Sequence, residues 1–92
     1  MMERKYRPAR SEYFRKDYGK IIKKDKSLQE HVDKKILQIL ENPNAYKPLR
    51  RPLAGYRRVQ AGSFVITFRI DGDLVRFVRI AHHDKIYKLP HD

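Results

Sequence analysis

The chain has 92 residues, with 22 lysines and arginines against 11 aspartates and glutamates, four histidines and no cysteine, for a formal net charge of +11. The missing cysteines exclude disulfides and thiol catalysis and are compatible with a reducing cytoplasm; no apolar run approaches membrane-spanning length, and the N-terminus lacks the apolar core of a signal peptide. A chain of this size buries roughly 60–65% of its unfolded surface, enough for one modest core, so residues 1–92 are expected to form a single domain.

Arg4 to Ala9 reads as a short first strand, which Pro8 confines to a sheet edge or to its own end. Ser11 suits a helix N-cap, because its hydroxyl can accept from a free N–H of the first turn. Phe14, Tyr18, Ile21 and Ile22 follow at helical spacing. Asp25-Lys26 interrupts that pattern. Ser27 with Glu30 forms an S-x-x-E capping box and is expected to open a second helix, with Leu28, Val32, Ile36, Ile39 and Leu40 as its apolar stripe. Pro43 pushes Asn42 out of the helical region and stops it. A stiff, basic, proline-rich connector runs to Leu53. Strands are then expected at Gly55–Gln60, Phe64–Ile70 and Leu74–Ala81, joined by turns at Ala61-Gly62-Ser63 and Asp71-Gly72-Asp73. In the middle strand Phe64, Ile66, Phe68 and Ile70 share one face and should meet the helices, while Val65, Thr67 and Arg69 should face outward. The last strand has apolar residues on both faces, Leu74-Val75 and Phe77-Val78, so its register is left open.

Charge then narrows the function. Residues 1–47 carry 13 basic and 7 acidic side chains, and residues 48–92 carry 9 and 4, so the whole domain is cationic rather than a neutral body with a basic tail. From Asn42 to Ile70 there is no acidic residue, yet Lys47, Arg50, Arg51, Arg57, Arg58 and Arg69 fall in that window. Such an unopposed field suits RNA, DNA, a ribosome or an acidic protein. The last strand delivers His82, His83, Lys85 and Tyr87 to the end of this surface. Imidazoles beside a polyanion site suit proton transfer. Adjacent histidines on a strand point to opposite faces and lack chelating spacing, so no metal site is expected from the pair. Arg57 and Arg58 alternate in direction, and one of them must share a face with Val65; guanidinium offers planar bidentate contact to phosphate. Lys47, Arg50, Arg51, Arg69, Lys85 and Lys88 are candidates for gripping an RNA backbone. No P-loop, dinucleotide glycine pattern or nucleophile elbow is present, and no cofactor is expected.

In order, these pieces are a short strand, a helix hairpin, an E-N-P stop, the basic connector, L-x-G-Y-R-R-V, G-S-F-V-I-T-F-R-I-D and V-R-F-V-R-I-A-H-H-D-K-I-Y. Together they resemble the RelE/ParE superfamily of toxins from type II toxin–antitoxin systems, on its RelE-like branch, over nearly the whole chain. Arg58 to Ile70 corresponds to the family's Y-R-V-R-V-G-D-Y-R-V-I-Y-R-I type of segment, and Ala81 to Tyr87 to its closing G-H-R-R-E-V-Y. Two positions depart: Val65 and His83 stand where RelE-like members commonly carry arginines that bind or activate the scissile phosphate. Histidine-using relatives of the YoeB-like and YafQ-like kind show that imidazole can do acid–base work in this fold.

The resemblance implies an α+β fold: an N-terminal strand and a helix hairpin packed on a twisted, mainly antiparallel sheet of about four strands. It implies a ribosome-dependent mRNA endoribonuclease that blocks translation by metal-free acid–base cleavage and is silenced by a cognate antitoxin. His83 or His82 would act as base or acid, Arg57 or Arg58 would stabilise charge on the phosphorane, and Tyr87 would stack or assist proton transfer. The alternatives are a ParE-like, non-enzymatic inhibitor of DNA gyrase and a catalytically silent RNA-binding relative.

Overall fold

The computed structural model describes residues 6–91. Among them, the elements in chain order are β1 (Arg7–Arg10), α1 (Glu12–Lys24), α2 (Lys26–Glu41), β2 (Arg57–Ala61), β3 (Phe64–Asp71) and β4 (Leu74–His82), with single 3₁₀ turns at Pro43–Ala45 and Ile86–Lys88. The sheet order is β1-β4-β3-β2. β1 runs parallel to β4, and the other two pairings are antiparallel. Pro8 sits on an edge strand, as its missing N–H requires. The first strand was expected from Arg4, and residues 4 and 5 lie outside the described part.

Local chemistry sets the helix ends. Ser11 is the N-cap of α1, its Oγ accepting from the Phe14 N–H at 3.0 Å; the same hydroxyl donates to the Val78 carbonyl at 2.6 Å and so fastens the helix start to β4. The second cap is not where the capping box placed it. Asp25 is the N-cap of α2, its Oδ1 accepting from the Leu28 N–H at 2.9 Å, and Ser27 already lies inside the helix. Asp25 also donates its own N–H to the Ile21 carbonyl at 2.9 Å, ending α1. One carboxylate residue in extended conformation closes one helix and opens the next, which leaves Ser27 no N–H to cap.

The core lies between the hairpin and one sheet face. Phe14, Ile21, Val32, Ile39 and Leu40 from the helices meet Val59, Ile66, Phe68, Val75, Phe77 and Ile80 from the sheet, with Leu28, Ile36, Phe64 and Ile70 packed on the margin. The open register of β4 is resolved by a bulge. Thr67 pairs with Arg79 and Phe68 with Phe77, so Val78 is an extra residue. The insertion shifts the alternation by one, and Val75, Phe77 and Ile80 can all reach the same core.

The expectation for the other sheet face is corrected. Val65 and Thr67 are fully buried rather than outward-facing. The C-terminal segment covers them: Ile86 is fully buried, and His91 Nε2 lies 3.0 Å from Thr67 Oγ1. The short Ile86–Lys88 turn packs on β4. From Val65 to Phe68 both faces of β3 are therefore dry, which suits the near-continuous apolar run in its sequence.

Candidate functional site

After β4 ends at His82, two tight turns reverse the chain. Lys85 N–H bonds to the His82 carbonyl and Lys88 N–H to the Lys85 carbonyl, both at 2.9 Å, while His83 N–H reaches the Ser63 carbonyl at 2.9 Å. This reversal sends residues 86–91 back across the sheet and assembles two groups of polar side chains, one at the strand end and one on the covered face.

The first group is His82, His83 and Asp84. Because the strand stops at His82, the two imidazoles are not held on opposite faces. Their ring centroids are 4.4 Å apart and the planes are 30° from parallel. Asp84 lies between them, with Oδ1 3.1 Å from His83 Nδ1 and Oδ2 3.4 Å from His82 Nδ1. His82 Nδ1 also accepts the Asp84 backbone N–H at 3.2 Å, and its ring meets Phe64 edge-on at 5.9 Å. His82 is thus fixed by packing and by a backbone donor, whereas His83 is exposed. Alternation along a strand, the basis for separating the two rings, does not extend past the strand's last residue. One ligand atom from each of the three residues can be chosen so that all lie within 4.8 Å of one another, so the same cluster could hold a metal.

The second group pairs Arg58 with Tyr87. Arg58 on β2 stands opposite Thr67, on the face that carries Val65, and its guanidinium donates to the Tyr87 hydroxyl. Tyr87 is 41% exposed, so its ring is available rather than buried as a plug; the plug is the adjacent Ile86. Arg57 points to the opposite side and donates to the Tyr46 carbonyl at 2.5 Å, tying the connector to the sheet. The alternation argument that one of the two arginines must share a face with Val65 thus resolves to Arg58.

The remaining cations fall into two classes. Lys47, Arg50, Arg51, Lys85 and Lys88 are exposed and project from the connector and the closing turns. Arg69 is held by Asp71, with Nη2 3.3 Å from Oδ2, and lies 5.7 Å from the Tyr56 ring centroid; the Asp71 carboxylate, with Tyr56, raises its pKa above the ordinary value. Arg79 has a structural task that no motif in the sequence marks. Its Nε and Nη2 bind both oxygens of Asp17 at 3.1 and 3.0 Å, its guanidinium carbon lies 4.5 Å over the Tyr13 ring, and it reaches the Pro90 carbonyl at 3.2 Å. Asp17 also accepts the Ile80 N–H at 3.0 Å, just beyond the point where β1 stops pairing with β4. The signal in sequence was an acidic residue alone on the inner part of a basic helix.

Known proteins share this sequence pattern and this fold. The model of the ParE toxin family of type II toxin–antitoxin systems (parDE) matches residues 10–87. A Methanocaldococcus jannaschii protein named "Putative toxin RelE4" is 43% identical over 72 residues, 75% of this chain and 77% of that protein. The toxin–antitoxin complex RelBE2 from Mycobacterium tuberculosis contains a chain that superposes with a TM-score of 0.72 at 26% identity, covering 85% of this chain and 98% of that one. YafQ from E. coli superposes with a TM-score of 0.73 at 20% identity, covering 89% of this chain and 98% of its own, a likeness of fold.

Proposed function

This chain belongs to the RelE/ParE superfamily of type II toxins, and from that premise we propose that it is a ribosome-dependent endoribonuclease that cleaves translated mRNA. The observation that carries the reading is that one cationic sheet bears both the His82-His83-Asp84 cluster, at the end of β4, and the Arg58–Tyr87 pair, on its covered face. Asp84 Oδ1, 3.1 Å from His83 Nδ1, favours a proton on that nitrogen and leaves Nε2 as the basic lone pair. His83 then takes the proton of a ribose 2′-hydroxyl as it attacks the adjacent phosphate. The P–O5′ bond breaks, and His82 or Tyr87 returns a proton to the departing 5′-oxygen. Arg58 spends one N–H on the Tyr87 hydroxyl and keeps others for the phosphorane oxygens; Tyr87, accepting from Arg58, keeps its own O–H to donate. Lys47, Arg50, Arg51, Lys85 and Lys88, all exposed, hold RNA through its phosphates.

Such a toxin needs a cognate antitoxin, as the RelBE2 complex supplies for its own chain. A groove of about 310 Å³ whose apolar lining includes Phe14, Ile36, Leu37, Leu40 and Phe77, with Leu37 52% exposed, offers the apolar face of an antitoxin segment a place to dock. The product ends test the chemistry. The proposal predicts 5′-hydroxyl ends that can be kinase-labelled directly; 5′-phosphate ends would contradict in-line attack by the 2′-hydroxyl.

A second reading, a ParE-like gyrase inhibitor without catalysis, is favoured by the family model itself and by Val65, which is fully buried where relatives of the RelE kind carry an arginine. It predicts loss of DNA supercoiling in a purified gyrase reaction and intact message.

A further inference from the structure

We propose that His82, His83 and Asp84 form a binding site for one divalent transition-metal ion of the zinc or cobalt type, and that the ion switches the toxin off. The binding half stands on geometry alone; the inhibitory half rests on the ribonuclease reading. Two imidazoles and a carboxylate are a common donor set for such ions. Metal–ligand bonds of about 2.0–2.1 Å in a tetrahedron put neighbouring donors about 3.3 Å apart. The carboxylate oxygens of Asp84 lie 3.1 Å from His83 Nδ1 and 3.4 Å from His82 Nδ1. These are different oxygens, Oδ1 and Oδ2, and one donor from each residue lies within 4.8 Å of the others, so closing on an ion takes side-chain rotation, and an ion on His82 Nδ1 replaces the Asp84 N–H there. Three ligands leave the remaining position to water or to an oxygen of a bound partner.

Electrostatics does not favour the site, since the chain carries a net charge of +11 and Lys85 follows directly. Coordination by the two imidazole nitrogens rather than field must supply the affinity, which sets zinc, cobalt and nickel apart from magnesium. The side chains are 38%, 52% and 72% exposed, so the ion can enter and leave without local unfolding. Its effect on chemistry follows from the tautomer. A metal on His83 Nδ1 displaces the proton that Asp84 holds there, and the neutral ring must then carry its proton on Nε2. The lone pair assigned to proton abstraction is lost, and Asp84 is taken up as a ligand.

Cobalt titration of the metal-free protein followed by visible absorption, with zinc competition by calorimetry, tests the site directly. One ion per chain is expected, with affinity at least 10-fold weaker in His82→Ala and in Asp84→Asn, and no displacement by excess magnesium. Circular dichroism of each variant keeps folding separate from binding. Absence of saturable binding, or unchanged binding in the folded double variant His82→Ala/His83→Ala, overturns the site. Message cleavage that continues at saturating zinc overturns the inhibitory half. Binding by a protein that cleaves no message under any condition refutes the ribonuclease reading and the switch while leaving the site.

Discussion

Among single residues, His83 is proposed as the base and its neighbours as supports. His83→Ala removes the group assigned to proton abstraction and should lower message cleavage by roughly 100–10,000-fold while ribosome binding persists, as measured by pelleting with ribosomes. Tyr87→Phe removes the acceptor of the Arg58 bond and the free O–H, and should reduce cleavage by roughly 10–150-fold, the worth of one hydrogen bond to a charged group. Unchanged turnover would show that the ring only stacks. These positions were legible as a cluster because histidine, lysine and tyrosine gather after the last strand. Their arrangement was not. The period-2 rule separates His82 from His83, but the strand ends between them. The reversal that carries Tyr87 to Arg58 depends on turns that no glycine or proline announces.

Elements show the same division. The helix stripe and the β3 stripe meet as their periods require, and Ile39, fully buried in α2, should cost about 2–5 kcal/mol when cut to alanine. Half-buried Ile36 should cost less in the same denaturant titration. Long-range polar contacts were invisible in the pattern. Asp17 and Arg79 are 62 residues apart, and each side chain is 11% exposed. Asp17→Ala would strand a nearly buried guanidinium and the Ile80 N–H, a loss of about 3–5 kcal/mol in chemical unfolding. At the sheet edge, Arg7 binds Asp73 through Nε at 3.0 Å and holds that carboxyl below its ordinary pKa. Its contribution is present above the unfolded-state pKa and is lost as pH falls through the lower folded value. Both partners are exposed, so Arg7→Ala should slightly reduce the acid dependence of stability, and added salt should do the same.

For the molecule as a whole, charge and fold act together. The acid-free stretch from Asn42 to Ile70 makes the connector and β2 a positive surface, and Arg50 and Arg51 are exposed on it. Ribosome affinity should fall steeply with salt, and the double change Arg50→Glu/Arg51→Glu should lower both the affinity and the salt slope. A salt-insensitive complex would remove the polyanion basis. The overall architecture was readable from element order and periodicity. The covering of the second sheet face was not, because Ile86 and His91 are single residues with no stripe to mark them. That covering leaves the groups proposed to react at the strand end and the Arg58 margin, where a single assay can follow them. Primer extension on a message translated by purified ribosomes should show new 5′ ends inside the translated region with the wild-type protein. They should be absent when translation is blocked and absent with His83→Ala. A message that stays intact while the wild-type protein sits on the ribosome would contradict the nuclease account and leave the fold and family untouched.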